Sequence, residues 1–190
     1  LARNADRDRR SRDLTLGSLT ECLREIIAAF PVYRTYVDEI AAAPSDQDRL
    51  ANARAIRLAR QRNPVAEDTV FAFVRDLLQL VDPPGLPDED RRLRRQFVLK
   101  LQQLTGPVMA KGVEDTAFYV YNRLVALNEV GGEPERFGLS LQAFHRQNQE
   151  RHARWPHALL TTSTHDTKRS EDVRARIGVL SEIPETWATT

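Results

Sequence analysis

Apolar residues recur at three- and four-residue intervals through almost the whole chain, and proline or glycine breaks that rhythm at intervals of helix length. Leu16, Leu19, Leu23, Ile26, Ile27 and Phe30 share one face before Pro31. This periodicity predicts an amphipathic helix that Pro31 ends or kinks, with Tyr33, Tyr36 and Val37 extending the apolar surface. "APSDQDRLANARAIRLARQRNP" reads as a second helix. Ser45 is placed to cap the N–H of Asp48, acids fill the first turn, arginines lie near the last, and Pro64 closes it. Val70, Phe73, Val74, Leu77 and Leu78 mark a third helix, stopped by "PPGLPDED". A fourth runs from Asp88, with Leu93, Phe97, Leu101 and Leu104 expected inside and Gly106-Pro107 as its stop.

Beyond that point "VEDTAFYVYNRLVALNEVGG" predicts a helix from near Asp115 to Gly131-Gly132, and "SLQAFHRQNQERHARW" another capped by Ser140. "HALLTT" is too short for a helix and suits a buried strand at about 158–162; Ser170 then caps a last helix, "EDVRARIGVLSEI". The fold class is mainly α with one late strand. Residues 1–13 are charged and aperiodic, so they are expected as an exposed tail or linker. The chain starts at Leu1 and stops at "ETWATT", which suggests a segment of a longer protein.

Composition removes several function classes. Lys plus Arg number 28 and Asp plus Glu 27, a net charge of +1 that gives no global bias toward nucleic acid or anionic membrane. No apolar run approaches the roughly 20 residues that span a bilayer, and the basic start lacks a signal peptide's apolar core. The single cysteine, Cys22, lies in an apolar pattern, as a small buried side chain does in a reducing cytoplasm. His145, His152, His157 and His165 have no metal-ligand spacing, and "TGPVMAKG" has Lys111 before Gly112, the reverse of a phosphate-binding loop. "RRLRR", Arg91 to Arg95, follows three acids and reads as a salt-bridged face rather than a nucleic-acid contact.

Two stretches carry chemistry. Lys111 sits in a Gly-flanked loop, where a cation can face a polar ligand; Glu114 and Asp115 beside it read either as acid and base or as helix-start residues. "TTSTHDTKRSEDVRAR" delivers His165, Asp166, Lys168 and Arg169 straight from the predicted strand. A polar pair at the carboxyl end of a strand is how α/β barrels build active sites, although Asp166 could equally serve only to cap local N–H groups.

Resemblance separates these readings. "QLTGPVMAKGVEDTAFYVYNRLVALNEVGG", "RWPHALLTTSTHDTKRSEDVRARIGVLSEIPETW" and "AFPVYRTYV" closely resemble the trehalose-linkage-forming enzymes of the α-amylase superfamily, glycoside hydrolase family 13, from about Leu14 to Thr190. The resemblance implies a (β/α)8 barrel with large helical insertions, the insertion falling on residues 14–155 and a barrel strand with its following helix on 156–190. It implies an intramolecular transglucosidase that turns the reducing-end α-1,4 bond of a maltooligosaccharide into an α-1,1 bond, with no cofactor. "STHDTKR" matches the superfamily's fourth motif. That match implies a transition-state-stabilising role for Asp166 and a sugar contact for His165, and the family's lysines near the reducing-end glucose fall on Lys111 and Lys168. Retaining chemistry also needs a nucleophile and an acid/base carboxylate about 5 Å apart, and neither motif is found here. They are expected N-terminal to Leu1, so the segment alone is expected to be inactive. The competing class is an all-helical interaction or nucleic-acid-binding module in which "THDTKR" is only a loop.

Overall fold

Ser45 Oγ accepts the N–H of Asp48 at 3.1 Å, and the same device, a serine hydroxyl at a helix start, recurs at Ser140 (Ala143 N–H, 3.2 Å) and Ser170 (Val173 N–H, 3.4 Å). In the computed structural model, which describes residues 1–121 and 123–190, these caps open α3 (Asp46–Arg62), α7 (Leu141–Arg154) and α8 (Glu171–Gly178). The other helices are α1 (Ala2–Asp6), α2 (Leu16–Ala28), α4 (Asp68–Leu78), α5 (Asp88–Met109), the single turn α6 (Phe118–Val120) and α9 (Pro184–Ala188). Between α5 and α6 the chain widens into π-helical turns over Ala110–Ala117. The chain forms two compact units, Leu1–Lys111 and Gly112–Thr190, so the boundary expected at 155/156 falls inside the second. Among the described residues no helix is long and apolar enough to cross a membrane.

In the first unit α2, α3 and α4 pack on one another, while α5 lies against α2 and α4. Of the apolar stripes read from the sequence, Leu19, Ile26 and Phe30 and Val70, Phe73, Val74, Leu77 and Leu78 are buried in its core with Cys22, joined by Ala55, Ile56 and Phe71, whereas Leu16 points out to solvent. Each fully buried Leu, Ile, Val or Phe contributes roughly 1.5–3 kcal/mol. Burial also pushes the Cys22 thiol up to about 12, as suits an inert packing residue. Asn52, buried in the same core, donates to Leu78 O at 3.1 Å and ties α3 to the end of α4. Gln102 of α5 holds the irregular segment after Phe30: its amide donates to Val37 O at 2.7 Å and its carbonyl accepts from Val37 N–H and Thr35 Oγ1, both at 3.1 Å.

Five expectations need correction. Residues 1–13 are not an exposed tail. Ala5 is fully buried, Ser11 Oγ donates to Ala5 O at 3.1 Å, and Arg7 pairs with Glu89 and Asp90 in the first turn of α5. Charge that looked solvated has found complementary charge elsewhere in the unit. Gly106-Pro107 does not stop α5, which runs on to Met109 because neighbouring Leu101, Gln102 and Thr105 are anchored in the core. The ladder has already lost the donor at Pro107 when it widens at Ala110.

The inward face of α5 is also rotated from the one expected. Val98, Leu101, Gln102 and Thr105 are buried, whereas Leu104 is 49% exposed.

The fourth and fifth corrections lie in the second unit. The long helix from Asp115 to Gly131 is replaced by π turns, α6 and a 3-10 turn at Val125–Leu127; Asn122 within that stretch lies outside the described residues. Buried Asn128 closes the end of α6, its amide donating to Phe118 O at 2.8 Å and Tyr121 O at 2.6 Å. No strand forms at 158–162, and among the described residues there is none for it to pair with. Leu159 is 98% exposed: a strand needs a ladder partner, and without one the apolar run stays irregular and solvated.

Candidate functional site

The loop between α7 and α8 is shaped by its own hydroxyls. Thr164 Oγ1 accepts the Asp166 N–H at 3.2 Å, and Thr167 Oγ1 donates to Thr164 O at 2.9 Å, a small turn that presents His165 and Asp166 at its tip. Both are exposed, the Asp166 side chain by 61%. Ser163 Oγ accepts the Glu171 N–H at 3.0 Å and fastens the loop to the start of α8.

Lys168 is held quite differently from its neighbours. Its side chain is only 11% exposed, and Nζ lies 2.6 Å from Asp115 Oδ1 and 3.8 Å from Asp166 Oδ1. The Asp115 carboxylate, chiefly by this hydrogen bond, holds the ammonium above the usual lysine range. One of the ammonium's three donors is committed to Asp115. The structure thus joins Asp166 and Lys168 into one cluster with Asp115, which is not a helix cap but part of the π-helical run. Lys111 is exposed on that same run, four residues earlier.

Two further acids shape this region, Glu114, which the sequence left open between acid/base work and a helix start, and Glu129, which the sequence reading missed. Glu114 is 4% exposed and accepts the Gly131 N–H at 3.0 Å. Glu129 accepts the N–H groups of Lys168 at 2.7 Å and Arg169 at 3.4 Å. Burial pushes the Glu129 carboxyl up. These N–H groups, that of Val130 and the charge of Arg174 outweigh it, so the pKa lies below the ordinary value. The signal available in the sequence for Glu129 was the pair of glycines, Gly131-Gly132, directly behind it.

Elsewhere, the arginines of "RRLRR" are largely engaged within the chain. Arg91 donates to Leu86 O at 3.0 Å and lies 3.9 Å from Asp82, Arg94 is buried, and Arg95 donates to Asp38 O at 3.0 Å. That arrangement is a self-paired face, poorly suited to phosphate contacts. Among the described residues no three His, Cys, Asp or Glu side chains come together as a metal site.

No family model matches the chain. A protein of Mycobacterium tuberculosis H37Rv, provisionally named maltooligosyl trehalose synthase, is 60% identical over 90 residues, which is 47% of this chain and 12% of that protein. The structure of maltooligosyltrehalose synthase from Arthrobacter ramosus superposes with a TM-score of 0.70 at 40% identity, over 97% of this chain and 22% of that one. A provisionally named maltooligosyl trehalose synthase from Sulfolobus tokodaii gives 0.58 at 32% identity, over 89% and 19%. The chain thus spans between about an eighth and a fifth of the length of these relatives. In sequence and in fold it belongs with the maltooligosyltrehalose synthases, as one stretch of that family.

Proposed function

We propose that this chain supplies part of the active site of an intramolecular transglucosidase that moves the reducing-end linkage of a maltooligosaccharide from α-1,4 to α-1,1, in the cytoplasm. The observation that carries the reading is the exposed Asp166 carboxylate beside a Lys168 ammonium that Asp115 anchors. The similarity to the Arthrobacter ramosus enzyme over 97% of the chain supports it. In this reading residues 14–155 are a helical insertion, and 158–162 become a barrel strand once neighbouring strands flank them. The nucleophile and acid/base carboxylates come from elsewhere in the longer enzyme, so the 190 residues alone do not turn over substrate.

The roles follow from charge. Cleavage gathers positive charge at the anomeric carbon and ring oxygen, and a fixed carboxylate at Asp166 interacts more strongly as that charge develops. His165 donates to the sugar in the cleaved subsite. Lys111 and Lys168 donate to hydroxyls of the released glucose, which must turn to present its anomeric hydroxyl before water attacks the glycosyl-enzyme.

That last role is testable by product analysis. In the full-length enzyme, Lys111→Ala and Lys168→Ala each raise the ratio of free glucose to trehalosyl product, on the order of tenfold, because loosening the retained glucose lowers its effective concentration against water. Chromatography of the products from maltopentaose decides it, and an unchanged ratio in both variants removes the glucose-holding role.

A further inference from the structure

The bond pattern at the far end of the Asp166 loop points to a residue that works on the site without touching substrate. Glu129 lies 39 residues before Lys168, yet its Oε1 accepts the Lys168 N–H at 2.7 Å and its Oε2 the Arg169 N–H at 3.4 Å. The contact is returned: Arg169 Nη1 donates to Asn128 O at 3.2 Å. Asn128 is itself fixed, 1% exposed and bonded to Phe118 O and Tyr121 O. Two consecutive residues therefore grip two consecutive residues, with bonds running in both directions.

The turn that carries Glu129 cannot easily relax. Gly132 N–H donates to Glu129 O at 2.7 Å, and a Cβ at position 132 would lie 2.5 Å from Leu127 O and 2.8 Å from Glu129 O. Only glycine fits there, and Gly131, at φ +70°, sits in the left-handed region. The Gly131 N–H is bonded to buried Glu114, next in sequence to Asp115. One tight turn therefore connects the backbone of Lys168 to the neighbour of the carboxylate that receives its ammonium.

We propose that Glu129 is a positioning residue. By fixing the Lys168 and Arg169 backbone it sets where the Lys168 ammonium stands between Asp115 and Asp166, and so governs how the released glucose is partitioned between trehalose linkage and escape. The inference rests on the assignment of Asp166 and Lys168 made above. Removing the carboxylate leaves three backbone donors, those of Val130, Lys168 and Arg169, without their acceptor and lets the loop shift. A displacement of about 1 Å at such a site costs roughly a hundredfold in rate.

The test uses the full-length enzyme with Glu129→Gln, Glu129→Ala and, in parallel, Asp166→Asn. The glutamine keeps size and one acceptor but turns an N–H toward a backbone N–H, so the grip fails on one side while the packing stays. Both Glu129 variants are expected to raise the ratio of free glucose to trehalosyl product by about tenfold, the alanine at least as much as the glutamine. A merely structural residue would lower the amount of active enzyme and leave the ratio of its products as it was. Loss of activity at an unchanged ratio in both variants therefore overturns the proposal. If Asp166→Asn also keeps a near-normal rate, the site assignment itself falls; if Asp166→Asn is inactive while the ratios stay unchanged, only the role of Glu129 falls.

Discussion

Asp166→Asn in the full-length enzyme is expected to lower kcat by about a thousandfold or more, with a much smaller change in KM. The substitution is nearly isosteric, and the loop does not depend on the carboxylate for its shape. The bonds that form the turn are Asp166 N–H to Thr164 Oγ1 at 3.2 Å and Thr167 Oγ1 to Thr164 O at 2.9 Å. Lys168 keeps its anchor on Asp115 at 2.6 Å and loses only its more distant anionic neighbour, at 3.8 Å. In the proposed role, what disappears is negative charge facing a group that is neutral in bound substrate and cationic in the transition state. An interaction gained only in the transition state appears in kcat and kcat/KM together and leaves ground-state binding largely intact. Steady-state kinetics on maltooligosaccharides read both parameters. A variant with near-normal kcat removes Asp166 from the chemistry and reduces the loop to a helix-entry turn.

The parts of the fold that were legible in the sequence are those with local causes. Ser45, Ser140 and Ser170 act on N–H groups three residues away, and their helices start where the hydroxyls dictate. The illegible parts have remote causes. Gly106-Pro107 is a stop signal on its own, yet α5 continues because Leu101, Gln102 and Thr105 are fixed in the first unit's core. At the end of α4 the reverse happens: the helix is closed by Leu80 at φ 55°, with Leu80 N–H on Leu77 O at 3.1 Å and Val81 N–H on Asp76 O at 2.8 Å, a glycine-type ending built without glycine. At the candidate site, Asp166 and Lys168 are two residues apart and were read together. Asp115 and Glu129 lie 53 and 39 residues from Lys168, and no periodicity connects them to it. Residues 158–162 form no strand for a related reason, since strand formation depends on a partner the local pattern does not contain.

Arg94→Met is expected to destabilise the first unit by about 3 kcal/mol or more, the usual cost of removing one member of a buried ionic cluster. Arg94 is 4% exposed on α5. Its Nη2 donates to Val81 O at 2.9 Å, Nε lies 2.9 Å from Asp82 Oδ1, Nη1 lies 4.0 Å from Asp8 Oδ2, and the guanidinium stands 5.9 Å from the Phe73 ring centroid. Methionine replaces the aliphatic stem, so the loss is polar: the Val81 carbonyl loses its donor, and Asp8 and Asp82 lose the cation they share, keeping only Arg10 at 3.5 Å and Arg91 at 3.9 Å. Arg92→Met, at an exposed position one turn face away, should move stability by less than about 0.5 kcal/mol. Urea titration followed by far-UV circular dichroism compares the two. A second signature comes from acid. Burial pushes the Asp8 carboxyl up, but the Arg10 N–H and side chain together with the Arg94 charge outweigh it, and its pKa is depressed in the folded chain. A depressed carboxylate contributes stability above its unfolded pKa of about 3.9 and loses it as pH falls through the lower folded value, because the unfolded state then binds more protons. With Arg94 gone one cause of the depression is gone, so the variant's stability should fall less steeply over that acid range than the parent's. Equal midpoints for Arg94→Met and the parent, at neutral pH and in acid alike, would mean that this cluster does not hold residues 1–13 to the helical core.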